Sequence, residues 1–258
     1  MASIYPPRWR SALQVWRRNS LVWRRLVVPS LVINFGEPFV YLLGLGYGLG
    51  MFIGEMANMP YLTFVATGIL ASSAMNVASF EAMFSVYTRM VPQRTYDAIL
   101  ATPVDVQDVL AGEMLWCATK ALINAGGILA VASLIGAVHS WTAVLAIPVI
   151  FLTGLCFAGP GMVMTSLAQG YDFFNYYVTL LLTPMFILSG VFYPVSSMPA
   201  ALQTLVQFLP LTHAVDLIRP LVAGKPVTQV ALHLAVLAAY ALVGYAISVR
   251  LIRKRLLV

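Results

Sequence analysis

Runs of about twenty apolar residues recur along this chain with almost no charge inside them, and that leaves few folds open. Six such runs stand out, at 31–52, 61–80, 114–136, 144–168, 171–191 and 230–252. A helix of that length crosses the ~30 Å hydrocarbon core of a bilayer. Only helices and closed barrels satisfy their own backbone at that depth. Charged residues make up 9% of the chain and apolar residues 60%, where a soluble domain carries about a quarter charged. So few charges cannot cover a water-facing surface. The sequence reads as an all-α integral membrane protein with six transmembrane helices.

Orientation follows from where lysine and arginine fall. Arg8, Arg10, Arg17, Arg18, Arg24 and Arg25 precede the first span, Arg89 and Arg94 lie in the second loop, and Arg250, Arg253, Lys254 and Arg255 follow the last span. The opposite side carries only Arg219 and Lys225. Both termini are therefore expected in the cytosol. The net charge of +6 comes from these terminal clusters and is no nucleic-acid signal. Cys117 and Cys156 sit in apolar runs as small packing residues, with neither disulfide nor metal spacing. The N-terminus lacks the pattern of a signal peptide.

Residues 8–28 carry tryptophan every seventh position, at Trp9, Trp16 and Trp23, with arginines on other faces. That pattern predicts an amphipathic helix lying in the interface, indoles at the headgroups and guanidinium groups toward anionic lipid. Residues 192–228 are too long for a hairpin turn. They are cut by Pro194, Pro199, Pro210, Pro220 and Pro226 into pieces shorter than a span. Short helices dipping back into the outer leaflet fit this segment.

The longest polar interruption is 87–113, YTRMVPQRTYDAILATPVDVQDVLAGE, on the expected cytosolic side. Within it TYDAIL and DVQDVL read as short helices around Thr102–Pro103, with Asp105 as an N-cap supported by Asp108. A short rigid helix in such a loop suits docking to a soluble partner.

Few polar residues enter the spans. Glu37 lies beside Asn34 in the first, where a carboxylate is costly and is by default a functional candidate. It can line a hydrophilic pathway, pair with a basic residue or couple protons. Asn76 and Glu81 on the second span, and Asn175, Tyr176 and Tyr177 on the fifth, are further pathway candidates. Lys120 in the third span is expected to reach back toward the cytosol in preference to a buried ion pair. The glycines from Gly44 to Gly54 fail the G-x-G-x-x-G register and are expected to form ridges for close helix contact. His139, His213 and His233 are far apart in sequence, and no metal-spaced ligands or catalytic clusters stand out. The only Gly-Lys, Gly224–Lys225, is followed by Pro226, so no P-loop is present and no cofactor is expected on this chain.

RTYDAILATPVDVQDVLAGEMLW in the loop, SGVFYPVSSMPAALQTLVQFLPLTHAVDLIR after the fifth span and EPFVYLLGLGYGLG in the first together resemble the type-2 ATP-binding cassette (ABC) exporter permeases. The resemblance covers nearly the whole chain. It is closest to the branch of nodulation-factor exporter permeases (NodJ-type) and of polysaccharide and lipo-oligosaccharide exporters. It implies an interface helix at 8–28 and one transmembrane domain over 29–255, working as a homodimer in the bacterial inner membrane. Two copies of a separate cytosolic ATPase would hold ATP and Mg. By the same resemblance Arg94, Tyr96, Asp97, Thr102, Pro103, Asp105 and Asp108 belong to the coupling helix. Phe192, Tyr193, Pro194, Pro199 and Pro210 then belong to re-entrant helices at the outer gate. The one departure is Tyr193, where the family has Phe more often.

The function this implies is ATP-driven export of an amphiphile, with membrane lipids as neighbours and no nucleic acid. A proton-coupled secondary transporter using Glu37 is the alternative, although no inverted repeat is visible. A membrane enzyme acting on lipid-linked sugars would show clustered acids or histidines near an interface.

Overall fold

The computed structural model describes residues 6–29 and 39–256. Asn34 and Glu37 lie outside the described residues. Among those described, the chain is a helical bundle with one small hairpin. Helix α1 spans Trp9–Trp23. It is followed by α2 (Phe39–Ile53) and α3 (Tyr61–Met90), and then by α4 (Thr95–Leu100). The long helices α5 (Val106–Leu134) and α6 (Trp141–Leu167) precede the shorter α7 (Phe173–Leu188). The chain closes with α8 (Ala200–Val206), α9 (Pro210–Ala223) and α10 (Val230–Leu256). Between α2 and α3, strands β1 (Glu55–Met56) and β2 (Met59–Pro60) pair antiparallel.

Four helices, α3, α5, α6 and α10, are long and apolar enough to cross a membrane. The pair α8 and α9, bent by 89°, makes a fifth if counted as one span, and α2 and α7 are apolar but shorter. At 1.5 Å per residue α7 reaches about 24 Å, less than a ~30 Å core. The chain is thus a multi-pass membrane protein.

Two helices run on past the ends read from hydropathy. Helix α3 continues beyond 80 through a π-helical stretch, Glu81–Ser85, to Met90. Helix α5 starts at Val106, ahead of 114. The connection between them is therefore only 91–105, with α4 inside it. The cause is electrostatic: Glu81, Arg89 and Glu113 look polar in a hydropathy window, yet they neutralise one another inside the bundle.

Small residues set the closest crossings. A Cβ on Gly244 of α10 would lie 2.7 Å from Cα of Gly159, so α6 and α10 meet backbone to backbone. Gly154 brings α6 equally close to Ala118 of α5. Of the expected glycine ridge of α2, Gly46 meets the Leu62 side chain closely and Gly50 lies in ordinary contact range of Tyr61, while Gly44 and Gly48 have nothing within 4 Å. Residues 42–49 are π-helical, so glycines four apart no longer stack as they do on an α-helix.

Long helices alternate in direction. One end of the bundle gathers α1, α4, the start of α5 and the end of α10. There the Tyr245 hydroxyl donates to the Gln107 carbonyl at 2.9 Å, and Arg255 to the Thr165 carbonyl of α6 at 3.1 Å. The far end holds the hairpin, whose Ala57 and Asn58 carbonyls accept from Lys225 Nζ at 3.0 and 2.9 Å. Pro220 does not cut the segment there. It lies inside α9, close enough to the end that the helix closes normally on Gly224, held at φ +72°.

Candidate functional site

The polar connection becomes a site through what holds it. Arg94 opens α4 in the left-handed region, φ +49°, a conformation that costs a non-glycine residue about 1–2 kcal/mol. Tyr96 then turns inward and is almost fully buried, among Leu100, Val109, Leu110, Ile252 and Leu256. Its hydroxyl has no partner in hydrogen-bond geometry among the described residues, and the Glu113 carboxylate is nearby. Burial, and after it the nearby Glu113 carboxylate, raise the Tyr96 phenol well above the usual tyrosine range, so it stays neutral. Arg94, Asp97, Thr102 and Pro103 remain exposed. Helix α4 is therefore a short helix with one aromatic anchor inside and polar residues exposed on and beside it.

Asp105 and Asp108 do something different. The Asp105 backbone N–H donates to Asp108 Oδ2 at 3.3 Å, and the Arg8 backbone N–H donates to Asp108 Oδ1 at 2.6 Å. Arg8 Nη2 reaches Asp105 Oδ2 at 3.0 Å. The two aspartates cap α5 and at the same time fasten Arg8, the N-cap residue of α1, to it.

Helix α1 then lies along α5. Its buried face is Ala12, Val15 and Asn19. Gly112 is the seat, since a Cβ there would lie 2.5 Å from the Ala12 carbonyl oxygen. The tryptophan stripe, expected at the headgroups, packs in part against α5. Trp16 Nε1 donates to Thr119 Oγ1 at 3.0 Å, and Trp23 meets Trp116 edge-on at 5.9 Å, leaving Trp9 exposed. Periodicity identifies the apolar face but cannot say whether lipid or protein covers it.

Beneath α1 lies a ring of charge from α3 and α5. Arg89 holds Glu113 with two nitrogens, Nη2 at 2.7 Å and Nε at 3.1 Å, and reaches Glu81 at 3.3 Å. Lys120 Nζ donates to Glu81 at 2.7 Å. Trp116 Nε1 and Ser85 Oγ also donate to Glu81, and Asn19 of α1 donates to Glu113 at 2.8 Å. The expectation that Lys120 reaches outward is corrected here: Glu81 on the neighbouring helix α3 is in direct reach and holds it in a buried ion pair instead. Both carboxylates are buried, so losing one partner would strand an uncompensated charge. A cavity of about 250 Å³ adjoins this ring between α1, α3 and α5.

The other pathway candidates are not assembled with Glu81. Asn76 is half-buried on α3, Asn175 and Tyr176 are exposed on α7, and Tyr177 is buried. No hydrogen bond joins them among the described residues. At the far end Phe192 packs with Phe186 at 4.9 Å and Tyr41 at 6.0 Å. Pro194, Pro199 and Pro210 each stand at the start of a helical turn or helix. Sequence reasoning missed Arg8, Asn19, Arg89, Glu113 and Trp116 as one unit. The available signal was charge balance, because the two acids and two bases buried at this end match.

A family model for the ABC-2 type transporter matches residues 8–222. Nodulation protein J of Rhizobium leguminosarum bv. viciae is 46% identical, over 95% of this chain and 95% of its own length. Nodulation protein J of Rhizobium meliloti (strain 1021) is 42% identical over 95% and 94%. The inner membrane transport permease YadH of Escherichia coli (strain K12) is 26% identical over 81% of each. With its apolar helices, this chain is a membrane transport subunit that belongs to the ABC-2 type transporter family.

Proposed function

We propose that the chain is the permease of an ATP-driven exporter that moves an amphiphile, a lipo-oligosaccharide, polysaccharide or other lipid-linked molecule, out across the inner membrane. In this reading two copies pair with two copies of a separate cytosolic ATPase, and the α4 end faces the cytosol. The observation that carries the reading is the construction of α4. Its anchor Tyr96 is buried beside Glu113, and Glu113 belongs to the ring that ties α1, α3 and α5 together. A push on the exposed Asp97 side is thereby passed to three helices at once. The basic residues of α1, the 91–105 connection and the end of α10 share this end, which supports its cytosolic placement. The relatives' names, nodulation protein J and inner membrane transport permease, support the location and the transport role.

The test is reconstitution of the chain with its ATPase in vesicles. Asp97→Ala and Arg94→Ala together should cut ATP-dependent export roughly tenfold while leaving the complex assembled. Export that persists without ATP and collapses with a protonophore would instead favour proton coupling. Full export by the double variant would remove α4 from the mechanism.

A further inference from the structure

At the end opposite α4 the hairpin, the last turn of α9 and the first turns of α10 enclose a cleft of about 530 Å³. Ligand pockets are typically about 300–1,000 Å³. The groups on its wall fall into two sets, those already engaged and those that are not.

The engaged set is cationic. Arg219 donates to the Gly190 carbonyl at 2.7 Å, Thr67 Oγ1 at 3.1 Å and the Phe64 carbonyl at 3.3 Å, and lies 3.7 Å from the centre of the Phe64 ring. Lys225 is held by the two hairpin carbonyls. Both place cationic side chains at the cleft but offer few free donors.

The other set is mostly acceptors. Asp216 is half-buried and accepts no hydrogen bond from any described residue, although the charge of Arg219 is close by. His233 is fixed by a chain of two bonds. His213 Nε2 lies 2.8 Å from the Gln207 carbonyl oxygen, which can only accept, so that nitrogen carries the proton. In the neutral ring His213 Nδ1 is then the acceptor, and His233 Nδ1 donates to it at 2.7 Å. His233 Nε2 is left with an unused lone pair. The exposed side-chain amides of Gln207 and Gln229 complete this set, with Gln229 held at φ +49°, a conformation that concentrates at functional sites.

An anion entering the cleft meets the Asp216 carboxylate, and a cation meets Arg219 and Lys225. A neutral group rich in hydroxyls meets neither obstacle, because each hydroxyl both donates and accepts. We propose that this cleft binds a neutral sugar ring or short oligosaccharide, the polar part of the exported amphiphile, on the far side of the membrane. The identity of that sugar as cargo rests on the export reading; the binding itself does not.

The full chain in lipid nanodiscs is titrated calorimetrically with maltotetraose, tetragalacturonate and a glucosamine tetramer. The neutral probe should bind at least about tenfold more tightly than either charged one, and Asp216→Ala should weaken it about tenfold, as expected for losing hydrogen bonds to a charged acceptor. Gln229→Ala, at an exposed position, should weaken it about threefold and keeps the test open if Asp216→Ala misfolds. No preference for the neutral probe, or affinity unchanged in the variants that fold, overturns the proposal. Export is measured on the same variants with the ATPase present. No sugar preference in the unaltered chain with intact ATP-dependent export sinks the cleft alone, whereas sugar binding without any ATP-dependent export sinks the export reading alone. Weakened binding with unchanged export in the variants overturns the sugar's identity as cargo.

Discussion

The two ends of the bundle hold charge in opposite ways. At the α4 end Glu81 and Glu113 face Arg89 and Lys120, so two acids and two bases close on each other across α3 and α5. At the far end Arg219 is bound to backbone carbonyls, while Asp216, within reach of its charge, accepts no hydrogen bond from any described residue. The first arrangement fixes helices relative to one another. The second leaves acceptors available to a visitor. The difference teaches that charge in a membrane bundle serves as a fastener when paired and as a receptor when half-paired.

The sharpest way to break this contrast is Glu113→Ala, which strips Asn19 of its partner and leaves Arg89 and Lys120 to share Glu81 alone. It should cost about 3–5 kcal/mol, measured by thermal unfolding in detergent. A cost no larger than that of a far-end change would erase the distinction. Arg219→Met comes next, at about 2–3 kcal/mol for hydrogen bonds lost by a charged donor, with unfolding expected to begin around Gly190 in hydrogen exchange. Lys120→Met should cost about 1.5–3 kcal/mol. Combining it with Glu81→Gln should cost less than the sum of the two single changes, because they share one pair. Additive costs would show that the ring does not act as a unit. Arg8→Ala should be smallest, at most about 1 kcal/mol, since its side chain is 59% exposed and its backbone N–H still reaches Asp108. A loss several times larger would make the guanidinium itself the fastener of α1.

How much of this was legible beforehand differs by residue. The apolar runs and the basic amphipathic start identify a helical membrane bundle with an added N-terminal helix, because burial of backbone in lipid allows little else. The polar connection and its short helix at 95–100 are visible from Pro103, Asp105 and the break in hydropathy. The connection's true ends are not, because Arg89 and Glu113 are polar residues neutralised by partners 24 positions apart. Nor could the sequence bring His213 and His233 within 2.7 Å, since nothing in a twenty-residue spacing says that α9 and α10 fold back on each other. Tyr96 illustrates the middle case. Its place in the polar stretch is plain, while its inward turn depends on the side chains of α5 and α10 that receive it.

The seat of α1 has a consequence for how the molecule is made. Arg8 is fastened to a residue 100 positions later, and Gly112 lies under Ala12 and Val15. At about 5–20 residues per second of synthesis, roughly 5–20 s pass between the appearance of the helix and that of its seat. During that time α1 exists as a lone basic helix, with Ala12, Val15 and Asn19 uncovered. Helix α1 thus leaves the ribosome well before the surface that seats it, and until α5 arrives the membrane surface is the cover at hand.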